Sequence, residues 1–140
     1  MKFMTCFEGV DTQGRAILQQ ALRAWHRDTF VFSDGGPWSR YVMSHHYSQP
    51  HLLRQIRRLF DMAQQFTIAV HVVRDLDLLV GARETRPELE AKHRLFEEAF
   101  RELPPAHLVA VDHAEGLTPA ALIERAQEAL LPFTGKAPGT

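Results

Sequence analysis

The sequence predicts a three-layer α/β domain in which a mostly parallel sheet of about four strands lies between two layers of helices. Short apolar runs rich in β-branched and aromatic residues alternate along the chain with longer stretches that carry apolar residues at helical spacing. Strands separated by helices typically form parallel sheets, and the helices cover both faces. The chain has 140 residues, which suits one such domain with one core.

Four segments are predicted to be strands. Residues 66–73 give the strongest signal, because five of these eight positions hold β-branched side chains, which favour extended backbone. The other predicted strands are residues 3–7, 29–32 and 107–111. The second of these is followed by a Ser-Asp-Gly-Gly-Pro turn that ends it.

The segments between and after the strands are predicted to be helices. Pro50 and Pro119 stand at first helical positions, where a missing N–H costs nothing, and Thr118 is predicted to be the N-cap of the last helix. The predicted helices are residues 17–25, 38–44, 50–65, 76–83, 87–103 and 119–131. Residues 1–133 are therefore assigned to one domain, and the Gly- and Pro-rich residues 134–140 to a flexible C-terminal tail.

Composition excludes several classes of protein. The formal net charge of −1 gives no global attraction to nucleic acid or to an anionic membrane, and no apolar stretch is long enough to span a bilayer. Cys6 is the only cysteine, so no intramolecular disulfide can form, which predicts a cytoplasmic protein with a buried thiol. The cluster of His45, His46 and His51 matches no zinc spacing, so neither a metal nor a cofactor is predicted.

The loop after the first strand has the glycine spacing of a nucleotide-binding motif. Residues 7–16 read Phe-Glu-Gly-Val-Asp-Thr-Gln-Gly-Arg-Ala, with Gly9 and Gly14 placed as in the Walker A pattern G-x-x-x-x-G-K-[ST]. Arg15 stands where the lysine belongs, and Ala16 where the Mg²⁺-binding hydroxyl belongs. The planar guanidinium does not replace a compact ammonium group, and alanine supplies no metal ligand.

This loop resembles the start of the thymidylate kinase family and related nucleoside monophosphate kinases. That family begins F-E-G-[LIV]-D-G-x-G-K-[ST]-T-Q, and this chain has Phe-Glu-Gly-Val-Asp-x-x-Gly before a helix with two glutamines. Residues 34–42 are similar to the D-R-x-P-W-S-x-Y stretch of phage and bacterial kinase-like relatives, with Gly35 in place of the arginine. Residues 71–83 resemble the segment that leads into the family's lid. The resemblance covers most of residues 3–131 and implies a degenerate, shortened P-loop-kinase-like fold.

The departures from the family predict that phosphoryl transfer has been lost. The chain lacks the metal-binding hydroxyl, the lysine and one arginine, and residues 26–28 alone stand where the family has its acceptor-nucleotide region. Loss of one transition-state arginine typically lowers a phosphoryl-transfer rate by about 10³–10⁵. The resemblance therefore implies a pseudoenzyme without catalytic residues that docks on another macromolecule, such as a phage-encoded factor that modulates a host machine like RNA polymerase.

Other hypotheses stay open. A minimal Mg²⁺-dependent deoxynucleoside monophosphate kinase would use Arg15, Asp34 and Arg83, whereas a nucleotide-binding module would only hold phosphate weakly at the helix N-terminus. The glycines also fit a strand-to-helix turn that binds nothing. The phosphate-binding residues predicted for the module are Gly9, Gln13, Gly14 and Arg15.

A surface for a protein partner is predicted around the second and third helices. Trp38 and Tyr41 flank Arg40 after the Gly-Gly-Pro turn, and exposed aromatic residues beside arginine are common interface anchors. The same aromatic residues also fit packing against the sheet. Three arginines at helical spacing on residues 50–65 suit phosphate or an acidic protein, although a solvated face explains them as well. The predicted partner-binding residues are Trp38, Arg40, Tyr41, His45, His46, Arg54, Arg57 and Arg58.

Overall fold

The computed structural model describes residues 1–46, 48–81 and 83–139, and Tyr47, Ala82 and Thr140 lie outside the described residues. The strands are β1 (Phe3–Glu8), β2 (Phe30–Asp34), β3 (Thr67–Val73) and β4 (His107–Asp112). The helices are α1 (Thr12–Leu22), α2 (Pro37–His46), α3 (Pro50–Ala63), α4 (Arg86–Glu102) and α5 (Pro119–Leu130).

The four strands form one sheet in the order β2-β1-β3-β4, and every pairing is parallel. The described helices cover both faces of this sheet, so the predicted three-layer α/β fold with four parallel strands is confirmed. From β1 the chain continues to β2 on one side, and it then crosses to β3 and β4 on the other side of β1. The strand order therefore reverses between β1 and β3.

Each face of the sheet has its own apolar core. On one face, α1 and α5 pack against the sheet through residues such as Leu18, Leu122 and Phe7. On the other face, α2, α3 and α4 contribute a second core in which Trp38 and Phe60 are fully or almost fully buried. This division follows from the alternation of the strands, which sends successive side chains to opposite faces.

Local sequence signals set most helix boundaries. Thr118 caps α5 by accepting the N–H of Ala121, as predicted, and Pro119 follows at the first position. Thr85 begins α4 with a capping box, in which its hydroxyl and the carboxylate of Glu88 satisfy each other's backbone N–H groups. Capping side chains therefore define where α4 and α5 begin.

Two helix predictions differ from the structure. The first helix begins at Thr12 rather than at residue 17, because Asp11 caps it by accepting the N–H of Gly14. The helix predicted for residues 76–83 forms only a single 3-10 turn over Leu76–Leu78, because the chain turns at Gly81, whose N–H donates to the carbonyl of Glu84. Part of that prediction falls on Ala82, outside the described residues.

The beginning of the predicted C-terminal tail is attached to the domain. The N–H of Gly135 lies 3.4 Å from the hydroxyl oxygen of Thr29, and the N–H of Lys136 donates to Phe133. Phe133 itself packs its ring on Phe3 and His107. None of the helices in the described part of the chain combines the length and the apolar character needed to cross a bilayer.

Candidate functional site

The reversal of strand order places a crevice at the carboxyl ends of β1 and β3. In open parallel sheets, ligands bind beyond the carboxyl ends of the strands at such a reversal. Glu8 ends β1, and Gly9 follows it, while Arg74 follows β3 and His113 follows β4. The candidate site is therefore this edge of the sheet.

A buried hydrogen bond between Asp11 and His113 joins three elements at this edge. Asp11 is fully buried, and its Oδ2 lies 2.5 Å from Nδ1 of His113, which is also buried. The other oxygen, Oδ1, accepts the N–H of Gly14 at 3.0 Å, and Nη1 of Arg74 lies 3.9 Å away. The backbone N–H of His113 donates to Val73. Asp11 thus ties the start of α1 to the ends of β3 and β4.

Several N–H donors of the predicted phosphate-binding loop are engaged within the chain. Only Gly9, Val10 and Asp11 connect β1 to α1, and the carboxylate of Asp11 lies where a phosphate would meet the helix N-terminus. The N–H groups of Thr12 and Arg15 donate to the carbonyls of Val10 and Asp11. The chain's own acceptors therefore occupy three of the donors that an anion would need, the N–H groups of Thr12, Gly14 and Arg15.

The two glycines of the loop serve packing. A Cβ on Gly9, whose φ is +121°, would lie 2.7 Å from the carbonyl oxygen of Val72, so only glycine fits beside β3. A Cβ on Gly14 would lie 2.3 Å from Oδ2 of Asp11. These contacts support the alternative in which Gly9 and Gly14 make a strand-to-helix turn without a ligand.

The predicted catalytic set is only partly assembled. Nε of Arg15 pairs with Oδ1 of Asp34 at 2.9 Å, and its Nη1 donates to the carbonyl of Gly9 at 2.8 Å. Arg83 is exposed in the turn before α4, and among the described residues no ion pair joins it to the other two. The guanidinium of Arg15 therefore braces the loop against β2.

Glu8 is a buried acid that supports the start of α2. Its Oε2 accepts a hydrogen bond from the hydroxyl of Ser39, and among the described residues Oε1 has no hydrogen-bond partner. Burial raises the pKa of Glu8 to about 7, although the Ser39 hydroxyl, the charge of Arg15 and the nearby N–H groups of Gly36 and Ser39 oppose the rise. Near neutral pH, the carboxyl group is therefore partly protonated.

His71 lies beside Glu8 in the register of β1 and β3. Its ring centroid lies 5.6 Å from that of His93 and 5.0 Å from that of Phe100. Burial, and next the nearby His93, lowers the pKa of His71 to about 4, so the ring is neutral at pH 7. In the described part of the chain, the buried side-chain N and O atoms without a partner are Glu8 Oε1, His71 Nε2 and Arg74 Nε. All three belong to this edge of the sheet, where such orphaned groups require an explanation.

A cavity of about 240 Å³, here called the crevice cavity, opens beside these groups between the loop after β1, α2 and α4. Arg15, Glu84 and Lys92 supply its charged lining, and Nζ of Lys92 pairs with Oε2 of Glu84 at 2.8 Å. Most of the remaining lining is apolar. A concave, largely apolar site with a few polar groups is typical of ligand sites.

The predicted partner surface is wrong for Trp38 and Tyr41. Trp38 is 0% exposed and donates its indole N–H to the carbonyl of Leu103 at 2.7 Å, while Tyr41 is 7% exposed and donates its hydroxyl to Glu98. Their spacing places both on the buried face of α2, so they pack in the core instead. The alternative interpretation of these two residues is therefore correct.

The predicted basic residues of this surface are exposed. Arg54, Arg57 and Arg58 lie on the outer side of α3, and Arg57 pairs with Glu102 at 3.1 Å. The exposed His45 packs its ring against Tyr41, and His46 is exposed at the end of α2. Arg40 lines two cavities of about 380 Å³ each, which lie on either side of it along α3.

Sequence reasoning missed the residues that meet at the sheet edge. Glu8 and Asp11 entered the prediction only as part of the kinase-like sequence motif. No role was predicted for His71, Arg74 or His113. A signal for them was present, because Glu8 and Arg74 directly follow predicted strands, and Asp11, His71 and His113 lie within four residues of the carboxyl ends of predicted strands. Within the described residues, no group of three or more His, Cys, Asp or Glu side chains is arranged to hold a metal ion.

No protein-family model matches the sequence, and neither a curated protein nor a solved structure is similar enough to count as a relative.

Proposed function

We propose that this chain is a binding protein without phosphoryl-transfer activity, which docks on an acidic surface of a partner protein through the outer face of α3. The observation that carries this proposal is the composition of that face. Leu59 and Met62 are 61% and 75% exposed, and the exposed Arg58 lies one helical turn before Met62. Methionine and arginine are both enriched at protein interfaces relative to the rest of the surface.

The geometry of α3 supports a partner with carboxylates. Arg54, Arg58 and Met62 follow one another at intervals of four residues and therefore form one row along the helix. Among the described residues, neither Arg54 nor Arg58 forms an ion pair. An acidic partner would supply carboxylates to this row and apolar side chains to Leu59 and Met62.

A protein is a better candidate than a membrane or a nucleic acid. Lipid-binding basic clusters typically hold about four to eight Lys or Arg residues, whereas this face holds three arginines, one of which is paired with Glu102. The formal net charge of −1 also gives no long-range attraction to polyanions. Short-range complementarity with one protein surface therefore fits best.

The loop after β1 supports the absence of phosphoryl transfer. The carboxylate of Asp11 caps α1, and Arg15 is held by Asp34 and Gly9, so an incoming triphosphate would have to displace both. Ala16 supplies no oxygen to a Mg²⁺ ion.

Direct binding to a defined partner tests the docking proposal. Purified bacterial RNA polymerase is the first candidate, and proteins captured by the wild type provide further ones after purification. We expect Leu59→Ser/Met62→Ser and Arg54→Glu/Arg58→Glu each to weaken binding at least about tenfold, which corresponds to about 1.4 kcal/mol. The matched controls Leu108→Ser and Arg101→Glu change exposed residues elsewhere and should bind as the wild type does. Equal binding by all four variants, or binding that only anionic vesicles support, would refute the proposal.

Thermal melting tests the alternative of a nucleotide kinase or nucleotide-binding module. ATP, GTP and dTMP are each added with Mg²⁺, and a ligand at 100 times its dissociation constant would stabilise the fold by about 2.7 kcal/mol. We expect no shift. A shift together with turnover that Arg15→Ala abolishes would favour the kinase, and a shift without turnover would favour the module.

A further inference from the structure

The outer edge of β4 is open for pairing with another strand. Successive residues of a strand direct their backbone N–H and C=O groups to opposite sides, and the N–H of His113 donates to the last residue of β3. The even-numbered residues of β4 therefore direct these groups away from β3, and the carbonyl of Asp112 accordingly accepts from Arg125 on α5. Among the described residues, the corresponding N–H and C=O groups of Leu108 and Ala110 have no hydrogen-bond partner.

This edge lacks the features that usually prevent strands from pairing between molecules. Residues 108–111 read Leu-Val-Ala-Val, without charge, proline or glycine, and their register against β3 is continuous. Leu108 is 53% exposed and Ala110 is also exposed, so the face of β4 that carries these two side chains is uncovered. The open backbone groups and the exposed apolar side chains thus belong to the same two residues.

The opposite edge of the sheet, at β2, is protected at both ends. The N–H of Phe30 donates to the carbonyl of His26 in the preceding turn, so an added strand would find this donor occupied. At the other end of β2, Asp34 places a charged side chain that pairs with Arg15. The edge that most needs a covering strand is therefore β4.

Two copies of β4 match each other in one antiparallel register. When Val109 lies opposite its counterpart on a two-fold axis, each Leu108 lies opposite Ala110 of the other copy, and each such pair exchanges two N–H···O bonds. The two apolar side chains then lie side by side on the uncovered face. A register about Ala110 would set Asp112 opposite Leu108 and would require the carbonyl that Arg125 occupies. Arg125 therefore selects the register about Val109.

We propose that the chain forms a symmetric homodimer through β4, in which two four-stranded sheets join into one continuous sheet. A second copy fits this edge better than a segment of another protein, because Leu108 and Ala110 complement each other across the two-fold axis. The formal net charge of −1 gives little repulsion between two copies. Each chain carries its own α3 face, so docking at that face and pairing through β4 do not depend on each other.

Sedimentation equilibrium and amide hydrogen exchange of the full chain test the dimer. At high concentration the mass should approach twice 16.0 kDa. We expect a dissociation constant on the order of 100 µM, because paired strand edges bury little surface. The monomer then falls from about three quarters of the chains at about 20 µM to about one fifth at about 1 mM, so the amides of Leu108 and Ala110 should exchange about fourfold more slowly at the higher concentration. The amide of Arg83, in the exposed turn before α4, is the reference and should exchange equally fast at both concentrations.

Two substitutions of Ala110 test the pairing directly. Ala110→Pro removes an N–H donor of the open edge and leaves the bonds to β3 intact, because this N–H points away from β3. Ala110→Lys places on the edge the charged residue that most often blocks strand pairing, and it keeps the test decisive where the proline variant fails to fold. Each variant should weaken dimerisation at least about tenfold. Ala120→Lys makes the same change at an exposed position of α5 and should dimerise as the wild type does.

Three results would overturn the proposal. The first is a chain whose mass remains 16.0 kDa at a concentration of about 1 mM. The second is a dimer in which the amides of Leu108 and Ala110 exchange as fast as in the monomer, since another surface would then hold the two copies together. The third is dimerisation of the folded Ala110 variants with the dissociation constant of Ala120→Lys.

Discussion

Glu8 and His71 make opposite contributions to the pH dependence of stability, and variants should separate them. The pKa of Glu8 is raised from 4.5 to about 7, so between these values the folded state holds a proton that the unfolded chain has released. Its contribution to stability is therefore fully present below pH 4.5 and is lost as the pH rises through about 7. The pKa of His71 is lowered from 6.5 to about 4, so its contribution is present above pH 6.5 and is lost as the pH falls through about 4.

The two effects overlap between pH 4.5 and 6.5 and should nearly cancel there. Each group changes proton binding on unfolding by about one, which corresponds to a slope of about 1.4 kcal/mol per pH unit. Glu8→Gln keeps the shape of the side chain but removes the titration, so the unfolding free energy of this variant should rise by about 2 kcal/mol more across that window than that of the wild type. His71→Phe keeps an aromatic ring against Phe100. The unfolding free energy of this variant should fall, relative to that of the wild type, by about the same amount as the pH rises from 4.5 to 6.5.

Urea unfolding at pH 4.5, 5.5 and 6.5 measures these slopes. The comparison is between the slopes of unfolding free energy against pH of each variant and the wild type. A loss of stability that is the same at every pH therefore does not affect it. The double variant Glu8→Gln/His71→Phe should regain the slope of the wild type. If Glu8→Gln has the same slope as the wild type, Glu8 is ionised throughout this range and the assignment of a buried, protonated acid is wrong.

Three substitutions test the contacts that hold the fold. Asp11→Ala should lower the unfolding free energy by about 2–4 kcal/mol, because it removes the buried hydrogen-bond partner of His113 and the cap of α1; a loss below about 1 kcal/mol in urea would contradict this. Trp38→Phe should cost about 1–3 kcal/mol, since it leaves the buried carbonyl of Leu103 without its donor; thermal melting checks this, and an unchanged midpoint would show that the indole N–H is dispensable. Thr85→Ala should cost about 1 kcal/mol by removing the capping box of α4, whereas Thr85→Ser should melt as the wild type does.

The fold was predictable because its signals are local. The β-branched residues of β3 identify a strand within a short window, and Thr118 followed by Pro119 marks the start of α5 without reference to the rest of the chain. The single 3-10 turn at Leu76–Leu78 was harder to predict. Closely spaced apolar residues give the same sequence pattern in one helical turn as in the first turn of a longer helix.

The site was less predictable because its contacts join distant parts of the chain. Asp11 and His113 are 102 positions apart, and the pattern around Asp11 suggests a phosphate loop that the buried pair with His113 replaces. Trp38 follows a turn, as exposed anchors often do, but its burial depends on α4, whose end supplies the carbonyl that accepts the indole N–H. Residues nearby in the sequence therefore predict neither the contact between Asp11 and His113 nor the burial of Trp38.

The support that Glu8 gives to α2 has a consequence for the order of folding. Gly36 precedes this helix and has no side chain to accept its first N–H groups, so a carboxylate from β1 faces them instead. A ten-residue helix without a local cap is marginal on its own. We therefore expect α2 to become persistent only after β1 has paired with β2, so the central strands act as a template that must form before this side of the domain is organised.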